Sequence, residues 1–119
     1  MLDKVLRIGL LFDFYGALLT EKQQQCLEMH YLSDLSLGEI AEQMGVTRQA
    51  VHDLLRRAEQ LLDEYEAKLK LLERFLHEQQ AVRQAYELLD SLPDEVYGLG
   101  QISEARKILQ LLLDYNKEA

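Results

Sequence analysis

A cluster of polar side chains near the middle of the chain has the types and the spacing that DNA recognition requires. Arginine can donate two hydrogen bonds to the edge of guanine, and glutamine can pair in the same way with adenine. We therefore expect Arg48 and Gln49 to read bases, and His52, one turn later, to touch a base or a phosphate. Arg56 and Arg57 are better placed to contact the DNA backbone. The candidate nucleic-acid-binding residues are Thr47, Arg48, Gln49, His52, Arg56 and Arg57.

A helix-turn-helix would position these side chains, and residues 36–57 fit that motif. Ser36 and Glu39 have the spacing of a capping box, which opens a first helix. Gly45 is predicted to end that helix, because glycine adopts a left-handed backbone at little cost. Thr47 is then the N-cap of a second helix that begins with the arginine after it.

The interior of the motif is predicted from the apolar residues of both helices. Two helices that cross closely need a small residue at the crossing, and Ala41 supplies it on the first helix. The remaining predicted interior residues are Ile40, Met44, Val46, Val51, Leu54 and Leu55. With these facing inward, the candidate binding residues are left on the outer side of the second helix.

The charge of the chain limits what this face can bind. The formal net charge is −8, so the average field repels phosphate and argues against indiscriminate nucleic-acid binding. Locally, the stretch from Thr47 to Ala58 has a balance of +2, and the helix dipole adds positive potential at Arg48. Most of the acid lies in residues 61–119, which carry seven basic and twelve acidic residues.

Composition and periodicity predict an all-α fold, because one proline and six glycines interrupt a chain of helix-forming residues. We expect a helix-turn-helix domain over 1–60, followed by a helical, acidic C-terminal arm over 61–119. Helices are predicted over 2–18, from Thr20 to about 32, and from Ser36 to Met44. A long helix runs from Arg48 to about 89, and after a break at Pro93 and a loop at 97–101 a last helix covers 102–116. Its inward residues are Ala105, Ile108, Leu109 and Leu112.

An apolar seam along the long helix points to a partner helix. The residues of the seam step by four and three along the chain: Ala58, Leu62, Tyr65, Leu69, Leu72 and Leu76. Because the long helix is longer than the last helix, part of the seam would remain uncovered. We therefore expect a homodimer, which would also present two recognition helices to two half-sites of a DNA target.

Other classes of function find little support. The three histidines are isolated and have no second ligand at metal-binding spacing, so we expect neither a metal nor a cofactor. Asp13 with Glu28, or the acids Asp63, Glu64 and Glu66, could be imagined as catalytic pairs. A run of charges on an amphipathic helix is far more often a solvated face, so we expect no enzyme. Cys26 is the only cysteine and is predicted to be buried. With no signal peptide and no membrane-spanning stretch, a cytoplasmic protein is expected.

The sequence resembles two related groups of bacterial proteins. Residues 20–58, with "SLGEIAEQMGV" and "RQAVHDLLRRA", are similar to region 4 of sigma factors. The resemblance is closer to the YlxM-type family of small helix-turn-helix proteins, through "LFDFYGALLTEKQ" at 11–23, "YLSDLSLGEIAE" at 31–42 and "RQAVHDLLRR" at 48–57. The "DFYG" segment, residues 13–16, separates this family from sigma factors. The similarity is strong over about 1–75, whereas the last third is similar only in being helical and acidic.

The resemblance implies a sigma-region-4-like all-α fold without catalytic activity, in a cytoplasmic protein. It also implies an association with the signal recognition particle pathway. Two hypotheses therefore stand. In the first, the chain is a DNA-binding regulator; in the second, it is an accessory factor that binds protein or RNA components of that particle. The "DFYG" segment is interpreted as core packing, with an exposed protein-binding patch as the alternative.

Overall fold

A computed structural model describes residues 3–118, without the side chains of Tyr97 and of residues 115–118. Every regular element in this range is helical, which confirms the predicted all-α fold. The α-helices are α1 (Lys4–Tyr15), α2 (Glu21–Leu27), α3 (Leu37–Met44), α4 (Arg48–Leu69), α5 (Leu71–Asp90) and α6 (Gly100–Glu118). Short 3-10 helices cover Gly16–Leu18 and Asp94–Gly98, and a π-helical segment, Glu28–Leu32, extends α2. Leu2, the predicted start of the first helix, lies outside the described residues.

The helix starts predicted from capping residues are confirmed. The hydroxyl of Thr20 accepts a 3.2 Å hydrogen bond from the N–H of Gln23, whose side chain accepts one from the N–H of Thr20. Ser36 and Glu39 form the same reciprocal pair at the start of α3. Each box satisfies two N–H groups that a helix N-terminus otherwise leaves without a partner, so these starts are fixed by local chemistry.

The chain divides into two compact units, one ending at Leu72 and the other beginning at Glu73. In the first unit, α4 contacts each of the three preceding α-helices and so forms the centre of the core. Cys26 is fully buried there, as predicted. The fully or almost fully buried hydrophobic side chains of this unit are Ile8, Leu11, Tyr15, Leu19, Cys26, Leu27, Ile40, Ala41, Val51, Leu55, Ala58, Leu62 and Leu72. The predicted functional division into 1–60 and 61–119 stays a prediction.

The prediction of one continuous helix from Arg48 to about 89 is wrong. Helix α4 ends at Leu69, because Lys70 adopts a left-handed backbone with φ 55° and ψ 31°. Neither glycine nor proline marks this break. Instead, the first N–H groups of α5 find partners elsewhere: Leu71 donates to the hydroxyl of Tyr15, and Leu72 donates to the carboxylate of Glu66, both at 3.0 Å.

The break also ends the predicted seam. Leu62 and Leu72 are buried, but Leu69 between them is 51% exposed, because the backbone turns there. Leu76, the last member of the seam, lies in the second unit and is also exposed. An uninterrupted coiled-coil stripe is therefore absent from these residues.

In the second unit, the region predicted as a loop at 97–101 is partly helical, since α6 begins at Gly100. The inward face of α6 also differs from the prediction: Leu113 is buried, whereas Ile108 and Leu112 are exposed. Three successive leucines give two overlapping 3-and-4 patterns, so periodicity alone could not choose the face. Arg106 of α6 donates to the Asp90 carboxylate at 2.8 Å and to the Tyr86 hydroxyl at 3.1 Å, which ties α6 to the end of α5.

Candidate nucleic-acid interface

The turn of the helix-turn-helix has the predicted geometry. Gly45 adopts a left-handed backbone with φ 68° and ψ 35°, and its N–H donates to the carbonyl of Ala41. The N–H of Val46 donates to the same carbonyl at 3.0 Å. At the start of α4, the hydroxyl of Thr47 accepts a 3.0 Å hydrogen bond from the N–H of Ala50. The chain therefore bends sharply between α3 and α4, with both helix ends capped.

The interior between α3 and α4 largely follows the prediction. Ile40 and Val51 are fully buried, and Ala41 and Leu55 nearly so. The other predicted interior residues, Met44, Val46 and Leu54, are half-buried at its edge. The buried stripe of α4 fixes the rotation of the helix and thereby decides which side chains face outward.

All six candidate binding residues are exposed. They occupy the N-cap and the outer side of the first three turns of α4, at Thr47, Arg48, Gln49, His52, Arg56 and Arg57. We call this set the α4 face. Its outward orientation follows from the burial of Val51 and Leu55 on the opposite side. What the α4 face binds stays a prediction.

Arg48 lies against the first turn of α3. A Cβ atom placed on Gly38 would be 3.4 Å from Nε of Arg48 and 3.7 Å from its Cζ. The guanidinium therefore rests beside the backbone of α3, at ordinary van der Waals distance even from that added atom. This contact holds the arginine near the tip of α4, where it is still open to solvent.

An acidic residue, Asp53, lies within the α4 face. Its Oδ1 accepts a 3.0 Å hydrogen bond from the side-chain amide of Gln49, and it lies 3.6 Å from Nδ1 of His52. Gln49 would have to leave this carboxylate before it could pair with a base. Asp53 therefore competes with an incoming acceptor for two of the candidate residues.

The two later arginines differ in their surroundings. Nη1 of Arg57 lies 3.8 Å from Oε1 of Glu64, in a pair in which both side chains are more than half exposed. Among the described residues, no carboxylate lies within ion-pair distance of Arg56. The guanidinium of Arg56 is therefore exposed and open to a new anion, and it lines two adjoining clefts. Arg48 likewise has no carboxylate at ion-pair distance among the described residues.

These two clefts form a groove between α1 and α4, which the sequence analysis missed. They have volumes of about 250 and 290 Å³ and share Lys4, Arg56 and Glu59. Nζ of Lys4 lies 3.5 Å from Glu59. Nη2 of Arg7 lies 3.0 Å from Asp63, a residue 56 positions later. No local pattern could have paired residues so far apart in the chain.

Tyr31 adds a hydrogen bond at one end of the groove. Its hydroxyl donates to the carboxylate of Glu59, the same group that pairs with Lys4. Burial, together with this hydrogen bond and the negative charge of Glu59, raises the pKa of Tyr31 well above its ordinary value. The hydroxyl therefore remains a neutral donor throughout the physiological range.

Within the described residues, no three His, Cys, Asp or Glu side chains come together in a way that could hold a metal ion. Within the same residues, no helix is both long enough and apolar enough to cross a bilayer.

Comparison with known proteins extends these observations. The model of the UPF0122 family, described as "Putative helix-turn-helix protein, YlxM / p13 like", matches residues 2–107. A UPF0122 protein of Shouchella clausii is 51% identical over 108 residues, which cover 83% of this chain and 99% of the relative. A UPF0122 protein of Desulforamulus reducens is 46% identical over 112 residues, which cover 94% of this chain and 95% of the relative. The similarity thus reaches beyond residues 1–75 and into α6.

Proposed function

Because the chain belongs to the UPF0122 family of YlxM/p13-like helix-turn-helix proteins, we propose that it is a DNA-binding regulatory protein. The observation that carries the proposal is the α4 face: Arg48 and Arg56 are exposed on a capped helix that the preceding helix holds in place. A helix presented in this way fits the major groove of B-form DNA, with its N-terminal residues toward the base edges.

In the proposed complex, the residues of the α4 face have different tasks. Arg48 donates to a guanine, and Gln49 leaves Asp53 to pair with an adenine. His52 reaches a base or a phosphate from the next turn. Arg56 and Arg57 contact the backbone, where Arg56 needs to give up no internal ion pair. The Thr47 hydroxyl accepts from the helix backbone and keeps its proton for a phosphate.

The charge distribution supports selective rather than general binding. The positive balance of residues 47–58 attracts phosphate locally, whereas the net charge of −8 repels it at longer range. Because attraction and repulsion of phosphate oppose each other, a duplex binds tightly only when contacts to its bases add to the contacts with its backbone.

We also propose that the chain acts as a homodimer. Apolar side chains remain exposed in both units, among them Leu69 in the first and Leu88 and Leu111 in the second. Burying such side chains against a second copy would remove them from water and would bring two α4 faces to one duplex. Sedimentation of the purified chain over a range of concentrations tests this part; a monomer at all concentrations would reject it.

The alternative function is an accessory factor that binds protein or RNA components of the signal recognition particle. It rests on the family resemblance, and one observation favours it: Gln49 and His52 lie beside Asp53, and Arg57 beside Glu64. These carboxylates weaken the case for a surface built only for DNA. In this alternative, the α4 face is not needed for the function.

Recovery of bound molecules from lysate, with and without nuclease, separates the two proposals. The wild type is compared with Arg48→Ala/Arg56→Ala and with Arg74→Ala/Arg83→Ala, which removes two exposed arginines from the second unit. The DNA-binding proposal expects fragments with a shared motif, which the first variant loses and the second keeps. Fragments without a shared motif, together with particle proteins or RNA that all three forms recover equally, would support the alternative.

A further inference from the structure

We infer that the groove between α1 and α4 is a second nucleic-acid site, in which Lys4 and Arg7 contact phosphates of the duplex that the α4 face reads. The inference rests on the proposed function and extends it to residues outside the helix-turn-helix motif. It also assigns a role to Glu59 and Asp63, which hold those two cations when no duplex is bound.

The groove is continuous with the α4 face. Arg56 lines both clefts, and His52 lines one of them, so two candidate binding residues form one wall of the groove. Lys4 and Arg7 lie on the opposite wall, on the first two turns of α1. A phosphate that meets Arg56 is therefore within the same groove as the two cations of α1.

The cations of α1 are available for exchange. Lys4 is 74% exposed, although its partner Glu59 is only 21% exposed, and both partners of the Arg7–Asp63 pair are substantially exposed. Ion pairs between exposed side chains are weak, because water and salt screen them. A DNA backbone presents a dense row of phosphates, so it can take over both cations from their isolated carboxylates.

The carboxylates of Glu59 and Asp63 limit how strongly the groove attracts phosphate. Lys4, Arg7 and Arg56 carry three positive charges along the groove, against two negative charges on Glu59 and Asp63; His30 and His52 line the groove as well. The site thus has a small positive excess and attracts phosphate weakly when acting alone. We therefore expect it to add affinity to a duplex already read by α4, with little binding of its own.

The open, polar shape of the groove favours a polymer backbone over an enclosed small ligand. Each cleft is bounded by charged side chains from different helices, while apolar walls are few: Ile8 in one cleft, Leu37 and Leu55 in the other. A ligand that needs burial would find little apolar surface here. A phosphate chain needs only cations at intervals, which these walls provide.

The salt dependence of binding tests the inference. A duplex enriched from a random library by the wild type is titrated with wild type, with Lys4→Gln/Arg7→Gln and with the control Arg74→Gln/Arg83→Gln. The loss of two phosphate contacts should flatten the plot of log affinity against log salt by about 1 to 2 units, with the preferred sequence unchanged. The control should keep the wild-type slope, and the same slope in the groove variant would overturn the inference.

A second variant tests the role of the carboxylates from the opposite direction. Glu59→Gln/Asp63→Asn keeps an acceptor for the Tyr31 hydroxyl but frees both cations. It should raise the affinity for duplexes of unrelated sequence several-fold, and an unchanged or lower affinity would contradict the inference.

The outcomes also separate the two proposals. If the wild type enriches a sequence that Arg48→Ala/Arg56→Ala no longer prefers, while the groove variants behave as wild type, only the groove inference fails. If the wild type binds no duplex, the proposed function fails and the groove inference with it.

Discussion

The hydroxyl of Tyr15 donates a 2.7 Å hydrogen bond to Oε1 of Glu66. The same hydroxyl accepts the N–H of Leu71, and the same carboxylate oxygen accepts the N–H of Leu72. The end of α1 is thereby joined to the point where α4 stops and α5 starts. Because Tyr15 is only 1% exposed, the "DFYG" segment serves the core at this residue, as the sequence interpretation favoured.

Replacing Tyr15 with Phe should destabilise the protein by about 1 to 3 kcal/mol. The ring would still fill its buried position, but the Leu71 N–H would lose its acceptor and Glu66 a donor. Urea unfolding measures the difference. Tyr65→Phe is the matched control, because the structure gives its hydroxyl no partner among the described residues. Equal stability of the two variants would contradict the role assigned to Tyr15.

Replacing Gly45 with Ala should destabilise the protein by about 1 to 2 kcal/mol. The left-handed backbone at this residue brings a Cβ atom too close to the next carbonyl oxygen. Gly9→Ala is the control and should have the opposite effect on stability. Gly9 lies inside α1 with open space around it, so its replacement by alanine should stabilise the protein by about 0.5 to 1 kcal/mol. If thermal unfolding shows both changes to be stabilising, the turn does not have this backbone in solution.

Stability should fall in alkaline solution partly through Tyr31. Its pKa is raised in the folded protein above the ordinary value of 10.0, so above about pH 10 the unfolded chain loses this proton while the folded chain keeps it. The contribution of Tyr31 to the free energy of unfolding is complete below pH 10. It is lost as the pH rises from there through the pKa of the folded protein, by up to about 1.4 kcal/mol per pH unit. Urea unfolding between pH 9 and 11 should show a shallower decline for Tyr31→Phe. An identical decline in the wild type and in Tyr31→Phe would contradict the raised pKa of Tyr31.

Replacing Asp53 with Asn should increase the affinity for the preferred duplex by about two- to five-fold. The change removes a negative charge from the α4 face, while the new amide oxygen still accepts from Gln49. Fluorescence anisotropy with a labelled duplex measures the effect. Glu78→Gln, which removes one exposed carboxylate from the second unit, should change the affinity much less. A weaker Asp53→Asn complex would mean that this carboxylate helps recognition, for example by accepting from cytosine.

Much of the helix-turn-helix could be predicted from the sequence because its signals are local. The capping residues Thr20, Ser36 and Thr47 act within three positions of themselves, and Gly45 acts on its own backbone. Helix starts, the bend and the exposed side of α4 follow from such short-range rules. The outward orientation of Arg48 was therefore accessible before the structure.

The remaining features depend on distant residues. Neither glycine nor proline stands at the break at Lys70. The next helix begins with the N–H of Leu71, which donates to Tyr15, a residue far earlier in the chain. The groove depends likewise on Arg7 meeting Asp63. The buried face of α6 differs from the prediction for another reason, since consecutive leucines satisfy two helical patterns equally. The spacing of apolar residues indicates which face of a single helix is buried. It does not show which residues of different helices pair with each other.

We propose above all that the α4 face selects DNA by sequence. The most direct measurement is enrichment from a random duplex library by purified wild type, Arg48→Ala/Arg56→Ala and Arg74→Ala/Arg83→Ala. We expect one shared motif for the wild type and the control, and the loss of that motif when Arg48 and Arg56 are replaced. The same motif from all three proteins, or no motif from the wild type, would contradict it.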